Sequence, residues 1–394
     1  MKTIELGRSG LRSSALAYGC WRLAGTWNPA EVTADTEVAA SRAIHAAYDA
    51  GYTLFDNADI YTNGVCEQML GKALRDAQGM RERVLVATKC GVRRPGEPNP
   101  TSPPRYDCST EHIVRSCEAS LQRLRVGTID LYMLHREDVL SDPEEIAVAF
   151  DQLHYSGKVR CFGLSNFRPS LAAAIVGCSR QPIVVHQIEI SLARLAPFTD
   201  GSLDQCLAEK ITPLAWSPLA GGLMGAGATK LLPAQQGYQL GALPPVLDDI
   251  AAARGVSRTA VALAWLMKHP SGIVPIVGST NPDRIREAAR AAAQLPQGQP
   301  HRIPPPWVAS IGSIANTRRP GSGGWSSRFR RFRANVVVRI TFPRGGCAPL
   351  NSSIRSFSFT GIARPLIVIT ISRAAKTDTI LSAFPITPSS THAP

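Results

Sequence analysis

Short apolar runs separated by amphipathic stretches recur eight times between residues 17 and 277, and this repetition constrains the fold more than any other feature. The runs cover 17–21, 53–56, 84–89, 129–135, 161–165, 184–190, 212–217 and 273–277. They have the length and apolar continuity of buried strands. Between or after them, apolar residues fall near the 3.6 spacing of a helix in 41–50, 66–75, 110–123, 143–154 and 282–293. Ser141-Asp142-Pro143-Glu144 and Asn281-Pro282-Asp283 place a capping side chain before a proline in the first turn. Eight strand–helix units over about 250 residues predict a (β/α)8 barrel. The competing fold, an open doubly wound sheet, ordinarily carries G-x-G-x-x-G after its first strand. Here that position reads AYGCWRLAG, and no G-x-x-x-x-G-K-[ST] occurs anywhere.

Charge divides the chain into two parts. Of the formal net charge of +13, residues 301–394 carry +12, from twelve Arg and Lys376 against Asp378. Residues 1–300 are nearly neutral, so a nucleic-acid or acidic-membrane role for the whole protein loses its main support. No apolar run approaches the ~18–20 residues of a membrane span, and the N-terminus lacks the apolar core of a signal peptide. The nine cysteines form no C-x-x-C pair. That pattern predicts reduced thiols in the cytoplasm, with neither a disulfide framework nor a metal site.

In such barrels the chemistry lies at the C-terminal ends of the strands. Those ends offer Asp56, Lys89, His135, Ser165, Asn166 and Gln187, with Tyr61 in the loop after Asp56. A phenol, an ammonium, a carboxylate and an imidazole at one mouth suit one task, giving a proton to a carbonyl oxygen as it becomes an alkoxide. A free phenol titrates near pH ~10, too high for efficient donation near neutrality. Lys89 is expected to lower that value, and Asp56 to keep Lys89 charged and oriented. His135 is expected to donate a hydrogen bond where negative charge develops. Each residue alone has a plain structural reading: a helix cap, a packed aromatic, a surface lysine, a core histidine. Their joint placement at three strand ends carries the functional one.

This arrangement resembles the aldo-keto reductase family, over residues 1 to about 293. Gly51-Tyr52-Thr53-Leu54-Phe55-Asp56-Asn57-Ala58 looks like the family's first signature, with Asn57 where Thr or Ser is usual. Gly157-Lys158-Val159-Arg160 and Phe162-Gly163-Leu164-Ser165-Asn166-Phe167 are similar to the second. Val185-His186-Gln187-Ile188-Glu189 resembles its nicotinamide-binding strand, and RSGLRSSALAYG its N-terminal hairpin. The resemblance implies carbonyl reduction with a nicotinamide cofactor, and a tetrad of Asp56, Tyr61, Lys89 and His135. It implies that Ser165, Asn166 and Gln187 bond the carboxamide. Trp216 then stands where the family's stacking aromatic does, and Ser217, Leu219 and Gly221 begin the loop over the pyrophosphate. Ser279 and Arg284 align with positions that bind the 2′-phosphate, although Gly278 and Ala288 replace a common Lys and Asn. With no acid at the end of the eighth strand to claim a free ribose hydroxyl, NADP(H) is favoured over NAD(H).

The expected reaction is therefore reduction of a small aldehyde or ketone, with Tyr61 as proton donor. Trp21, Trp27, Tyr61 and the loop 93–106 are the candidate substrate wall, which favours an apolar or aromatic compound. The alternative is a nucleotide-binding redox sensor or regulatory subunit with slow turnover. The expected division is a barrel over 1–300 and an Arg/Ser/Pro-rich segment over 301–394. Three readings fit that segment: wrong-frame sequence, a disordered basic arm for nucleic acid or anionic lipid, and a small domain.

Overall fold

The computed structural model describes residues 1–225, 238, 240, 241 and 243–293. The expectations for 301–394, and for much of the glycine-rich loop after residue 219, lie outside the described residues. The chain opens with an antiparallel hairpin, β1 (Thr3–Glu5) and β2 (Arg12–Ser14). Next come β3 (Ala17–Gly19), α1 (Ala34–Asp49), β4 (Leu54–Asp56), α2 (Val65–Asp76) and β5 (Leu85–Cys90). A two-stranded antiparallel pair follows, β6 (Val92–Arg93) with β7 (Arg105–Tyr106). Then come α3 (Thr110–Leu124), β8 (Ile129–Leu134), α4 (Pro143–Tyr155), β9 (Val159–Ser165), α5 (Pro169–Cys178) and β10 (Ile183–Glu189). The described part ends with α6 (Ser202–Glu209), β11 (Thr212–Trp216), α7 (Leu243–Arg254), α8 (Arg258–Met267), β12 (Val274–Val277) and α9 (Pro282–Ala293).

Eight parallel strands close in the order β3-β4-β5-β8-β9-β10-β11-β12, and β12 returns to β3. This is the (β/α)8 barrel that the alternation predicts, and every expected strand is present. The barrel interior is filled by side chains such as Leu54, Leu131, Met133, Val185 and Val274. Leu6 and Leu11 of the hairpin belong to the same buried cluster, so the hairpin stops the N-terminal end. Gly163 in β9 marks a close approach: a Cβ there would stand 2.4 Å from Val185 Cγ2. Val185 is on the neighbouring strand, so any side chain at 163 would push the wall apart.

The helices start where the sequence places caps. Asp142 accepts from the Glu144 N–H at 2.9 Å, and Asn281 Oδ1 accepts from the Asp283 and Arg284 N–H groups at 2.9 and 3.2 Å. Helix α1 begins at Ala34, seven residues earlier than its apolar spacing suggests. Thr33 caps it, and its first residues are mostly exposed and mix polar with apolar side chains, so periodicity misses them. Eight cysteines lie among the described residues; all are free thiols, and only Cys178 is exposed. No described helix is long and apolar enough to cross a membrane.

Candidate active site

Asp56 ends β4, Lys89 lies one residue from the end of β5, and His135 follows β8 directly. Tyr61 sits in the turn between β4 and α2. Parallel pairing brings these strand ends level: Asp56 stands beside Ala87, and Lys89 beside Met133. Lys89 is fully buried, and its Nζ donates to Asp56 Oδ1 at 2.7 Å and to the Asn57 carbonyl at 2.6 Å. An ammonium out of water persists only with such partners. The same Nζ stands 5.1 Å from the centroid of the Tyr61 ring. The His135 ring meets Tyr61 edge-on, with centroids 5.8 Å apart. The four expected residues therefore converge at one mouth.

The electrostatics differ from the expectation in one respect. The Tyr61 phenol is pushed well above its ordinary value, by burial first and then by the charges of Asp56, Cys20 and Cys66; Arg136 pulls it down. The Lys89 ammonium, bonded to the Asp56 carboxylate at 2.7 Å, does not outweigh burial and that negative charge. Burial, then Lys89 and Arg136, hold the His135 imidazole well below its usual range, so it is neutral at neutral pH. Its Nδ1 is buried with no hydrogen-bond partner.

The residues expected at the nicotinamide form one network with the tetrad. Gln187 Nε2 donates 2.8 Å to Asp56 Oδ1, which Lys89 also holds. A carboxylate only accepts, so the Gln187 amide is turned with its nitrogen to Asp56, and its oxygen remains for another partner. Asn166, in the left-handed region at φ 59°, donates from Nδ2 to Ser165 Oγ (2.8 Å) and to the His135 carbonyl (3.1 Å). Its Oδ1 accepts from the Trp216 indole N–H at 2.9 Å. That indole bond was not legible in the sequence, where Trp216 stood only as an aromatic face.

Ser217, Leu219 and Gly221 lie in a tight turn after β11. Ser217 takes φ 49° and Gly221 φ 68°, and the Leu219 carbonyl accepts from the Gly222 and Met224 N–H groups at 2.9 and 3.1 Å. At the other side of the mouth, Ser279 Oγ accepts from the Asn281 N–H (3.2 Å), and its carbonyl accepts from the Tyr18 hydroxyl (3.0 Å). Arg284 is exposed in the first turn of α9, with no ion pair among the described residues. A Cβ at Gly278 would stand 3.1 Å from Trp21 Nε1, so a long side chain there would have to displace that indole. Trp21 meets Trp27, and Trp27 meets Tyr61, at centroid distances of 6.1 and 6.4 Å. Trp21 is 40% exposed and Trp27 60%, which leaves an open aromatic wall beside the phenol.

Comparison with known proteins agrees with this fold. The sequence profile of the Aldo/keto reductase family matches residues 15–303. A 6-dehydroglucose reductase of Novosphingobium aromaticivorans is 39% identical over 293 residues, covering 73% of this chain and 89% of the relative. An uncharacterized oxidoreductase of Bacillus subtilis is 40% identical over 306 residues, covering 77% of this chain and 97% of the relative. The holo form of an aldo-keto reductase from Bacillus halodurans is structurally similar with a TM-score of 0.61 at 25% identity, over 76% of this chain and 92% of that one.

Proposed function

We propose that this chain, which belongs to the aldo/keto reductase family, is an NADP(H)-dependent reductase of aldehydes or ketones with Tyr61 as its proton donor. The observation that carries this reading is the convergence of the Tyr61 phenol with buried Lys89 and neutral His135 at one barrel mouth. The family consists of oxidoreductases that act on small molecules with NAD(P)H.

The donor set fits a nicotinamide dinucleotide. Ser165, Asn166 and Gln187 supply hydroxyl and amide groups beside the tetrad, and the half-buried Trp216 supplies an aromatic face. Ser279 and the unpaired Arg284 fit a phosphate, because a guanidinium presents paired N–H donors to its oxygens. When bound, the reduced nicotinamide supplies a hydride to the carbonyl carbon. The remaining work belongs to the chain. The phenol, held above its ordinary value, is fully protonated at neutral pH and keeps a proton for the carbonyl oxygen. Neutral His135 donates a hydrogen bond to that oxygen without competing for the proton. After the transfer Tyr61 is a phenolate, which Lys89 and Arg136 stabilise by their charge. Asp56 fixes Lys89, and Gln187 fixes Asp56.

For the substrate, the Novosphingobium relative's name makes 6-dehydroglucose the first compound to try. The test is a fluorescence titration with NADPH and NADH, followed by an aldehyde panel that includes 6-dehydroglucose at saturating cofactor. Tighter NADPH binding and turnover of aldehydes are expected. Tight binding with no turnover across the panel would replace this reading with that of a nucleotide-binding regulatory subunit.

A further inference from the structure

Arg136 follows His135 directly, yet the tetrad makes no bond to its guanidinium. The side chain is half-buried, and among the described residues its guanidinium has neither a hydrogen bond nor an ion pair. Its Cζ stands 6.0 Å from the centroid of the Trp216 ring. Trp216 bonds Asn166, and Asn166 bonds the His135 carbonyl, so the guanidinium is carried on the network that frames the mouth. Its charge reaches both groups around the reacting oxygen, acting on the Tyr61 phenol and on the His135 imidazole.

A guanidinium has five N–H donors in a rigid fork and no acceptor. Partly withdrawn from water, with the Trp216 ring beside it but no hydrogen-bond acceptor among the described residues, it has N–H donors free for oxygen. Lys89 has fewer free donors, since Asp56 and the Asn57 carbonyl take two of its three N–H groups. Beside Tyr61 the mouth also offers the partly exposed rings of Trp27 and Trp21, with the Arg22 guanidinium 4.6 Å from the Trp21 centroid. A molecule fitting both features has oxygen atoms along one edge and a C–H face on the other. Polyhydroxylated aldehydes have that shape; plain alkyl and aryl aldehydes lack the oxygen edge.

We propose that Arg136 is a substrate-binding residue that takes oxygen atoms on the carbons near the reacting carbonyl, and so selects hydroxylated, sugar-like aldehydes. This rests on the carbonyl-reductase reading above. It also revises the apolar substrate class that the tryptophans alone suggest, because the indoles would stack on sugar C–H faces while Arg136 holds the hydroxyl edge.

The test compares kcat/KM for glyceraldehyde, succinic semialdehyde and butanal, in the parent, Arg136→Leu and Arg136→Lys. The three substrates carry hydroxyls, a carboxylate, and neither. Lost hydrogen bonds to a charged donor are worth about ten- to a hundredfold. The glyceraldehyde-to-butanal ratio should fall by that factor in Arg136→Leu, mostly through KM, and recover in part in Arg136→Lys. Thermal midpoint and NADPH affinity serve as checks that the variants fold. If only the succinic semialdehyde-to-butanal ratio falls, the ligand is a carboxylate and the sugar-like class is wrong. If all three substrates lose equally, Arg136 acts through Tyr61 and His135, and substrate binding is refuted. If the parent reduces none of them, nor any other aldehyde, while binding NADPH, the carbonyl-reductase reading fails and this proposal fails with it.

Discussion

Replacing Tyr61 by Phe removes one hydroxyl and little else. The Phe ring keeps the edge contacts to Trp27 and His135 and stays under the Lys89 ammonium. The phenol donates no hydrogen bond to any described group, so its loss orphans no buried partner. Equilibrium stability should therefore move by less than about 0.5 kcal/mol. A general acid supplies about 10²–10⁴ in rate, which at about 1.36 kcal/mol per decade is about 2.7–5.4 kcal/mol of barrier. The expected signature is a loss of a hundredfold or more in the rate of carbonyl reduction, with the urea midpoint and NADPH affinity unmoved. The pH dependence gives an independent check. The donor must be protonated to act, and the Tyr61 phenol is held above its ordinary value, near 10. Ionisation of this phenol should therefore not slow reduction anywhere between about pH 6.5 and 9.5. His135, held well below its ordinary value, is already neutral over the same range and adds no limb. Single-turnover stopped flow at saturating NADPH measures this chemical step. A Tyr61→Phe rate within about threefold of the parent would sink the donor role, because so small a loss lies far below general-acid magnitudes. A basic limb near pH ~7–8 that vanishes in Tyr61→Phe would refute the raised phenol.

Three further outcomes follow from the same geometry. Arg284→Ala should weaken NADPH by about ten- to a hundredfold, the worth of a charge-assisted contact, and leave NADH nearly unchanged; equal losses in parallel titrations would show that Arg284 serves the fold or the adenine instead. Trp216→Phe keeps an aromatic face but loses the N–H that holds Asn166 Oδ1. At about 0.5–1.5 kcal/mol for such a bond, NADPH affinity should fall roughly two- to tenfold, and an unchanged affinity would show that Asn166 is oriented without the indole. A chain truncated after Pro300 should bind NADPH as the full chain does, because the eight strand–helix units end with α9; lost binding in the same titration would show that 301–394 belongs to the nucleotide-binding unit.

The architecture was legible because it rests on local signals that point the same way. Each barrel strand is a short apolar run bounded by polar residues, and Asp142 and Asn281 cap their helices as their sequence positions predict. The β6–β7 pair was not legible. Its strands have two residues each and sit in a Pro-rich loop, too short for any alternation to register. The tetrad could be read because its members fall at strand ends, which the barrel brings level. What the sequence could not reveal were bonds between distant residues. Gln187 reaches Asp56 across 131 positions, and the Trp216 indole reaches Asn166 across 50. The direction of the Tyr61 shift was also hidden. One ammonium near a phenol argues for a lower value, whereas burial and the Asp56 charge argue for a higher one. Only the Lys89–Asp56 distance of 2.7 Å shows that the ammonium is bonded to that carboxylate.

Asn57 shows how a departure from a signature can serve the same site. Where the family usually has Thr or Ser, this chain has a longer amide, and the structure uses both of its ends. Its Nδ2 donates to the Cys66 carbonyl at 3.0 Å, and its Oδ1 accepts from the Ala58 N–H at 3.0 Å. Its backbone N–H donates to the Ala87 carbonyl at 2.8 Å, and its own carbonyl accepts from Lys89 Nζ at 2.6 Å. Cys66 lies in the first turn of α2 and Asn57 directly follows β4, so this side chain ties the base of the turn that carries Tyr61. Within the turn the Tyr61 N–H donates to the Ala58 carbonyl at 3.2 Å, and the Thr62 hydroxyl donates to the Thr26 carbonyl. A Thr at 57 has one short polar atom on a β-branched stem and cannot span to Cys66 while also meeting Ala58. The amide thus braces the phenol-bearing turn against the strand that holds Asp56. Placement of a general acid depends on such bracing, because the proton must be offered within hydrogen-bond reach of the substrate oxygen.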